Sequence, residues 1–171
     1  MRDRPPHLVP PVCLVIGALF GMAGTFVSAS SLRGLLWGID GIALIVATAL
    51  LAVHHARRDN DVMAAGFLVF LAGETLILAS TAMEPVTGVP VFGAGVGLWA
   101  ASMTLTSVPR LMPTWLRVVA VVGAVLFGIV AVQIFTGHTV TPLSRPLPFF
   151  GYPFLAATLL GWAWRHYRDA S

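Results

Sequence analysis

The chain has 171 residues, of which 57% are hydrophobic and only 10% charged. Soluble domains carry about 25% charged residues, so this composition excludes a water-covered surface and points to a protein dissolved in lipid. The formal charge is +3 and every basic residue is arginine, which excludes Schiff-base chemistry on lysine.

The arginines stand at the ends of apolar runs instead of in one patch. The basic balance therefore reads as membrane orientation and not as nucleic-acid binding. Cys13 is the single cysteine. An internal disulfide, dithiol redox chemistry and a thiol-rich metal site are all excluded. The preceding Pro10-Pro11-Val12 lacks the small residue that a lipoprotein signal places ahead of its cysteine.

A spanning helix needs roughly 20 apolar residues, and the chain divides into six such runs with no room for a soluble domain. The sequence predicts an all-α bundle of six transmembrane helices. Arg2, Arg4 and a proline-rich lead-in (Pro5, Pro6, Pro10, Pro11) precede the first span, residues 9–28. That span carries Gly17-x-x-x-Gly21, a close-packing face for another helix. A cleaved signal peptide with Val27-Ser28-Ala29 as its processing site is the rival reading. The apolar run exceeds the ~7–15 residues of a signal core, which favours an uncleaved helix.

Ser30 to Arg33 is expected to turn, and the second span, residues 34–53, ends in His54-His55-Ala56-Arg57-Arg58. Asp59-Asn60-Asp61 supplies capping residues and negative charge for the next helix N-terminus. The third span covers residues 62–83, stopped by Glu84-Pro85. Thr87 to Pro90 is expected to turn. The fourth span, residues 91–107, is rich in glycine. The fifth covers residues 115–135. A long connection with His138 and Arg145 leads to the sixth, residues 149–164, which ends in Trp162, Trp164, Arg165, His166, Tyr167 and Arg168.

Six spans put both termini on one side. Arg2, Arg4, Arg57, Arg58, Arg110, Arg117, Arg165 and Arg168 then share one face, with Arg33 and Arg145 on the other. The positive-inside rule makes the arginine-rich face cytoplasmic and the protein a multi-pass component of the plasma membrane. A faint internal likeness, Val15-Ile16-Gly17-Ala18 against Val91-Phe92-Gly93-Ala94, would relate two inverted three-helix halves, as in several transporter folds.

Two residues carry the functional argument. Asp40 and Glu74 are carboxylates inside apolar spans, and an ionisable residue there is a functional-site candidate. Asp40 lies seven residues past Arg33, about 10 Å deep at 1.5 Å per residue. Glu74 lies nine residues before Met83, about 13 Å deep by the same rise. At matching depth on consecutive helices, the two acids are expected to meet and to share one proton, titrating as a unit. Arg33, Arg145 and His138 fall at the outer mouth and complete a candidate proton or substrate site. The alternative is that the acids only tie helices together. Polar contacts in membranes average about 0.6 kcal/mol, enough to specify packing but a weak reason for two acids.

Adjacent histidines point about 100° apart on a helix, so His54-His55 with Asp59 and Asp61 does not make a metal site. No catalytic or phosphate-binding motif occurs, and nothing calls for a cofactor. The readings that remain are a small transporter or channel-like protein, an accessory subunit that meets a partner or a second copy through glycine-rich faces, and a membrane enzyme acting on a lipid or quinone.

Overall fold

The computed structural model describes residues 8–170. Arg2, Arg4, Pro5 and Pro6, used above for orientation and for the lead-in, lie outside them. Six helices follow one another: α1 Val9–Phe26, α2 Ser30–Ala56, α3 Asp61–Thr81, α4 Pro85–Ser107, α5 Thr114–Phe135 and α6 Tyr152–Ala170. No strand occurs among the described residues. By length and composition, α1 to α5 are long and apolar enough to cross a membrane. α6 falls short, because Arg165, His166 and Arg168 occupy its last turns.

Each helix packs on its neighbours in the chain, and α6 returns to pack on α1, so the helices close into a ring. The outer surface is apolar over most of its height, with Leu35, Ile42, Val46, Val118, Val125 and Val132 all exposed. Such a surface suits lipid and not water. The interior is filled by large side chains from several helices, among them Phe67, Phe70, Phe127 and Trp162, each under 2% exposed.

Several helix boundaries move from their expected places. α2 begins at Ser30, so the expected turn of Ser30 to Arg33 is its first helical turn. The link from α1 is only residues 27–29. Arg33 makes this short link possible: its Nε and Nη2 donate to Val27 O at 3.1 and 2.8 Å, and Nη2 also reaches Ser28 O at 3.2 Å. These bonds satisfy carbonyls left over at the end of α1. The expected turn of Thr87 to Pro90 is likewise helical. Pro85 starts α4, where proline is tolerated, and Pro90 sits inside the helix near that same end. α6 starts at Tyr152, later than expected, because residues 136–151 form a series of turns. Between α2 and α3, Asn60 stands at the cap position, but its side chain makes no capping bond. Asp59 instead takes a left-handed conformation (φ 57°) that reverses the chain.

The glycines of α1 are notches for α2. A side chain at Gly24, Gly21 or Gly17 would collide with Trp37, Asp40 or Leu44 respectively. Reading up one helix and down the other, the contacts form an antiparallel zip. The face predicted from Gly17-x-x-x-Gly21 therefore receives the acid-bearing helix. α3 and α4 also meet at glycines, in one place backbone to backbone: a Cβ on Gly73 would lie 2.9 Å from Gly95 O, and one on Gly66 would lie 2.6 Å from Thr106 Cγ2. Gly34 and Gly38, on the outside of α2, have nothing within 4 Å.

This contrast yields a direct test. Gly73→Ala should lose about 1–3 kcal/mol, the usual cost of overpacking, because a backbone carbonyl cannot swing aside. Gly38→Ala should be neutral or up to about 1 kcal/mol more stable, since alanine is the better helix former. Thermal unfolding in detergent separates the two outcomes.

Candidate functional site

Antiparallel neighbours give the ring two distinct ends. One, the acid end, gathers the end of α1, the start of α2, the end of α3, the start of α4 and the long connection into α6. The other, the histidine end, gathers the end of α2, the start of α3, the α4–α5 link and the end of α6.

A cavity of about 60 Å³ opens from the acid end. Its wall begins with Thr25, Thr81 and Pro142 near the helix ends and descends past Trp37 to Asp40 and Glu74, with Phe92, Trp99 and Tyr152 opposite. Glu74 lies seven residues from the end of α3 and Asp40 ten from the start of α2, depths of about 10 and 15 Å. Both acids line this one cavity, at depths that differ by about 5 Å. Tyr152 lines the same cavity.

Each acid is held differently. Glu74 is 2% exposed, and its Oε2 accepts a hydrogen bond from Trp99 Nε1 at 3.1 Å. Its Oε1 faces α2, where a Cβ on Gly41 would approach to 3.3 Å. Asp40 lies against the Gly17–Gly21 notch of α1. Its Oδ1 is covered from solvent and has no hydrogen-bond partner in the protein. A buried carboxyl oxygen without a donor is costly, so Asp40 is an acid whose hydrogen bonding the fold leaves incomplete.

The remaining predicted site residues lie elsewhere. Arg33 spends its guanidinium on the end of α1 and lies 5.9 Å from the centre of the Trp37 ring. Arg145 rests on the Phe149 ring at 4.2 Å. His138 is exposed and within 3.2 Å of Gln133 O. All three stand at the acid end, but none lines the cavity. Trp99, which bonds Glu74, is the residue that sequence reasoning missed; Tyr152, near the outer end of the sequence-derived site, lines the cavity with its hydroxyl bonded to Pro142 O. Trp99 sits 25 residues after Glu74, a separation with no periodic signal.

Below the acids the ring is sealed by aromatic side chains. Ring centroids run from Tyr152 to Phe127 at 5.8 Å, Phe127 to Trp99 at 5.5 Å, Trp99 to Phe70 at 5.9 Å, Phe70 to Trp162 at 5.7 Å and Trp162 to Phe67 at 5.0 Å. Phe67 stacks on His55 at 5.5 Å. Beneath this seal, His55 Nε2 and His166 Nε2 are 3.0 Å apart, and both residues are buried. His166 Nδ1 lies 2.7 Å from Trp162 O. A carbonyl only accepts, so His166 carries a proton on Nδ1. Its Nε2 then accepts from His55 Nε2–H when both rings are neutral. His55 thus turns toward α6. Among the described residues, no group of three or more His, Cys, Asp or Glu side chains is arranged to hold a metal ion.

A second hollow of about 380 Å³ lies on the outer face between α1 and α6. Its wall is almost wholly apolar, including Val12, Val15, Leu160 and Trp164, and it offers lipid-facing shape without chemistry. No family model, curated protein or solved structure matches this chain.

The Glu74–Trp99 bond can be tested in isolation. Trp99→Phe keeps an aromatic ring against Phe70 and Phe127 but removes the donor. It should destabilise the protein by about 1–3 kcal/mol, the range for a buried acceptor left unsatisfied. Combined with Glu74→Leu, it should cost clearly less than the two single losses added, because partners in one bond are not independent. Additive unfolding free energies would show that the bond contributes nothing.

Proposed function

We propose that the protein is a small proton-linked transporter of the plasma membrane, with Asp40 and Glu74 as its proton- and substrate-binding pair. The observation that carries this reading is the arrangement along the ring axis. A cavity leads from one end to two interior carboxylates, and a continuous aromatic seal separates them from the other end. A site open to one side and closed to the other is what alternating access requires of one of its states. Proton coupling is supported by chemistry: a pair of acids can bind and release a proton near the membrane interior, where such residues mark ion and proton pathways.

In this reading all six helices span, although α6 is less apolar than the others. Support comes from both of its ends. Tyr152 donates to Pro142 O at 2.9 Å at the acid end, while Arg165 reaches Leu111 O at 3.2 Å and His166 meets His55 at the histidine end. α6 is therefore as tall as its neighbours. The histidine end holds Arg57, Arg58, Arg110, Arg117, Arg165 and Arg168, and the acid end holds Arg33 and Arg145. This asymmetry supports a cytoplasmic histidine end and an outward cavity.

A subunit role is the runner-up. Its support is Gly34 and Gly38, four residues apart on α2 with open space around both, a spacing suited to close approach by a partner helix or a second copy. It gives the buried acids no task. Reporter fusions after Asn60 and Pro109 should read cytoplasmic, and fusions after Ser28, Met83 and Thr141 external. A cytoplasmic signal at Thr141 would sink the outward-facing arrangement. In liposomes with an imposed pH gradient, Asp40→Asn and Glu74→Gln should each reduce proton flux at least about tenfold while leaving the fold intact, because an amide keeps the shape but cannot release a proton. Flux equal to that of the unaltered chain would reject the pair as the coupling site.

A further inference from the structure

The cavity offers a ligand acceptors but almost no donors. Five side chains in its wall carry a donor hydrogen bound to nitrogen or oxygen in a defined bond, and each is already committed inside the protein. Thr25 Oγ1 donates to Met22 O at 2.6 Å, and Thr81 Oγ1 to Leu78 O at 2.7 Å. Tyr152 OH donates to Pro142 O at 2.9 Å, and Trp37 Nε1 to Gly21 O at 3.3 Å. Trp99 Nε1 donates to Glu74 Oε2 at 3.1 Å. Among the described residues, no arginine or histidine lines the cavity. The uncommitted groups are carboxyl oxygens: Oδ1 of Asp40, covered and unpartnered, and Oε1 of Glu74, on a side chain only 2% exposed.

We infer that this cavity binds a small protonated amine, of the size of ammonium or methylammonium, and releases a proton from the Asp40–Glu74 pair as it does so. The inference rests on reading the cavity as the transport site and names the class of solute it takes. An anion would bring further negative charge to two carboxyl groups that share a single proton. A ligand recognised through a carbonyl would find that one shared proton as its sole donor and would leave the remaining carboxyl oxygens without a donor. An ammonium group supplies the donors that Asp40 and Glu74 lack, and its charge is balanced when the pair gives up a proton. The ring faces of Trp37, Trp99, Phe92 and Tyr152 suit a cation that carries C–H or N–H surface. Hard metal ions take about six or more oxygen ligands, and two carboxyl groups, one already accepting from Trp99, do not complete such a shell.

Size narrows the class. About 60 Å³ is well below the ~150 Å³ of a cavity that admits benzene. Aromatic and bulky quaternary amines are therefore excluded. The proton balance is simple. The ammonium enters with its own protons and keeps them, one proton leaves the acid pair for water at the acid end, and no net charge is added to the interior.

The test uses the full chain in nanodiscs, in weak buffer with a pH-indicating dye, following tryptophan fluorescence as methylammonium chloride is added. Sodium chloride, sodium acetate and tetraethylammonium chloride at equal ionic strength are the comparisons. Methylammonium alone should give a saturable change, with release of about one proton per protein by the balance above. Asp40→Asn and Glu74→Gln should each raise the half-saturating concentration at least tenfold. The inference is overturned if the unaltered, folded chain gives no saturable response, if sodium or tetraethylammonium acts equally well, or if both amide variants respond like the unaltered chain. Saturable methylammonium binding without proton flux in liposomes would sustain this site and reject the transport reading. Proton-linked flux of a different solute without methylammonium binding would do the reverse.

Discussion

Placing two carboxyl groups inside a ring of apolar helices constrains everything packed around them. An unsatisfied polar group in such surroundings costs about 1–3 kcal/mol, and more if it is charged. The protein answers with three local devices. Glycines at 17 and 21 cut a notch in α1 deep enough for Asp40, and a side chain at Gly21 would sit 2.6 Å from Asp40 Oδ2. Gly41 keeps α2 thin where Glu74 faces it. Trp99 then reaches across from α4 to give Glu74 its hydrogen bond. The acids and the glycines are thus one design: removing the notch would leave no room for the acid, and removing the acid would leave a hole.

The same ring that admits a cavity at one end shuts it at the other. Aromatic side chains from α3, α4, α5 and α6 interlock edge to face or stacked, with Phe67, Phe70, Phe127 and Trp162 almost entirely buried. Aromatic pairs contribute roughly 0.5–1.5 kcal/mol beyond their area, so the seal also binds helices that are not neighbours in the ring. The histidine pair extends this logic. His55 and His166 join α2 to α6 past the intervening α1, and the bond to Trp162 O sets which nitrogen carries the proton. A polar link at that end can be protein-internal, because the aromatic layer stands between it and the acids.

Arginine serves the ends of the ring in a similar way. Arg33 fastens the last carbonyls of α1, and Arg117 Nε donates to Ser107 O at 2.6 Å at the end of α4. Both lie where a helix exposes carbonyls and the negative end of its dipole. A residue placed by topology as the mouth of a site can therefore be occupied in holding a turn, which is what Arg33 does.

Length, composition and apolar run length alone determined that this is an all-helical membrane protein, because about 20 residues are needed to cross lipid and few charges are available to face water. They also marked Asp40 and Glu74, since a carboxyl group in such a run is conspicuous and helical rise converts its position into depth. The Gly17 and Gly21 face was legible for the same reason, through its four-residue spacing. What periodicity could not supply was which helices touch beyond those joined by short links. Tyr152 of α6 in the wall of the acids' cavity and His166 against His55 bring together helices far apart in sequence, by up to 111 residues, and Trp99 finds Glu74 on the adjacent helix at a separation that carries no periodic signal. The helix starts at Ser30 and Pro85 have local causes that apolar run length does not register: Arg33 fastens carbonyls five and six residues back, and proline is tolerated in a first helical turn.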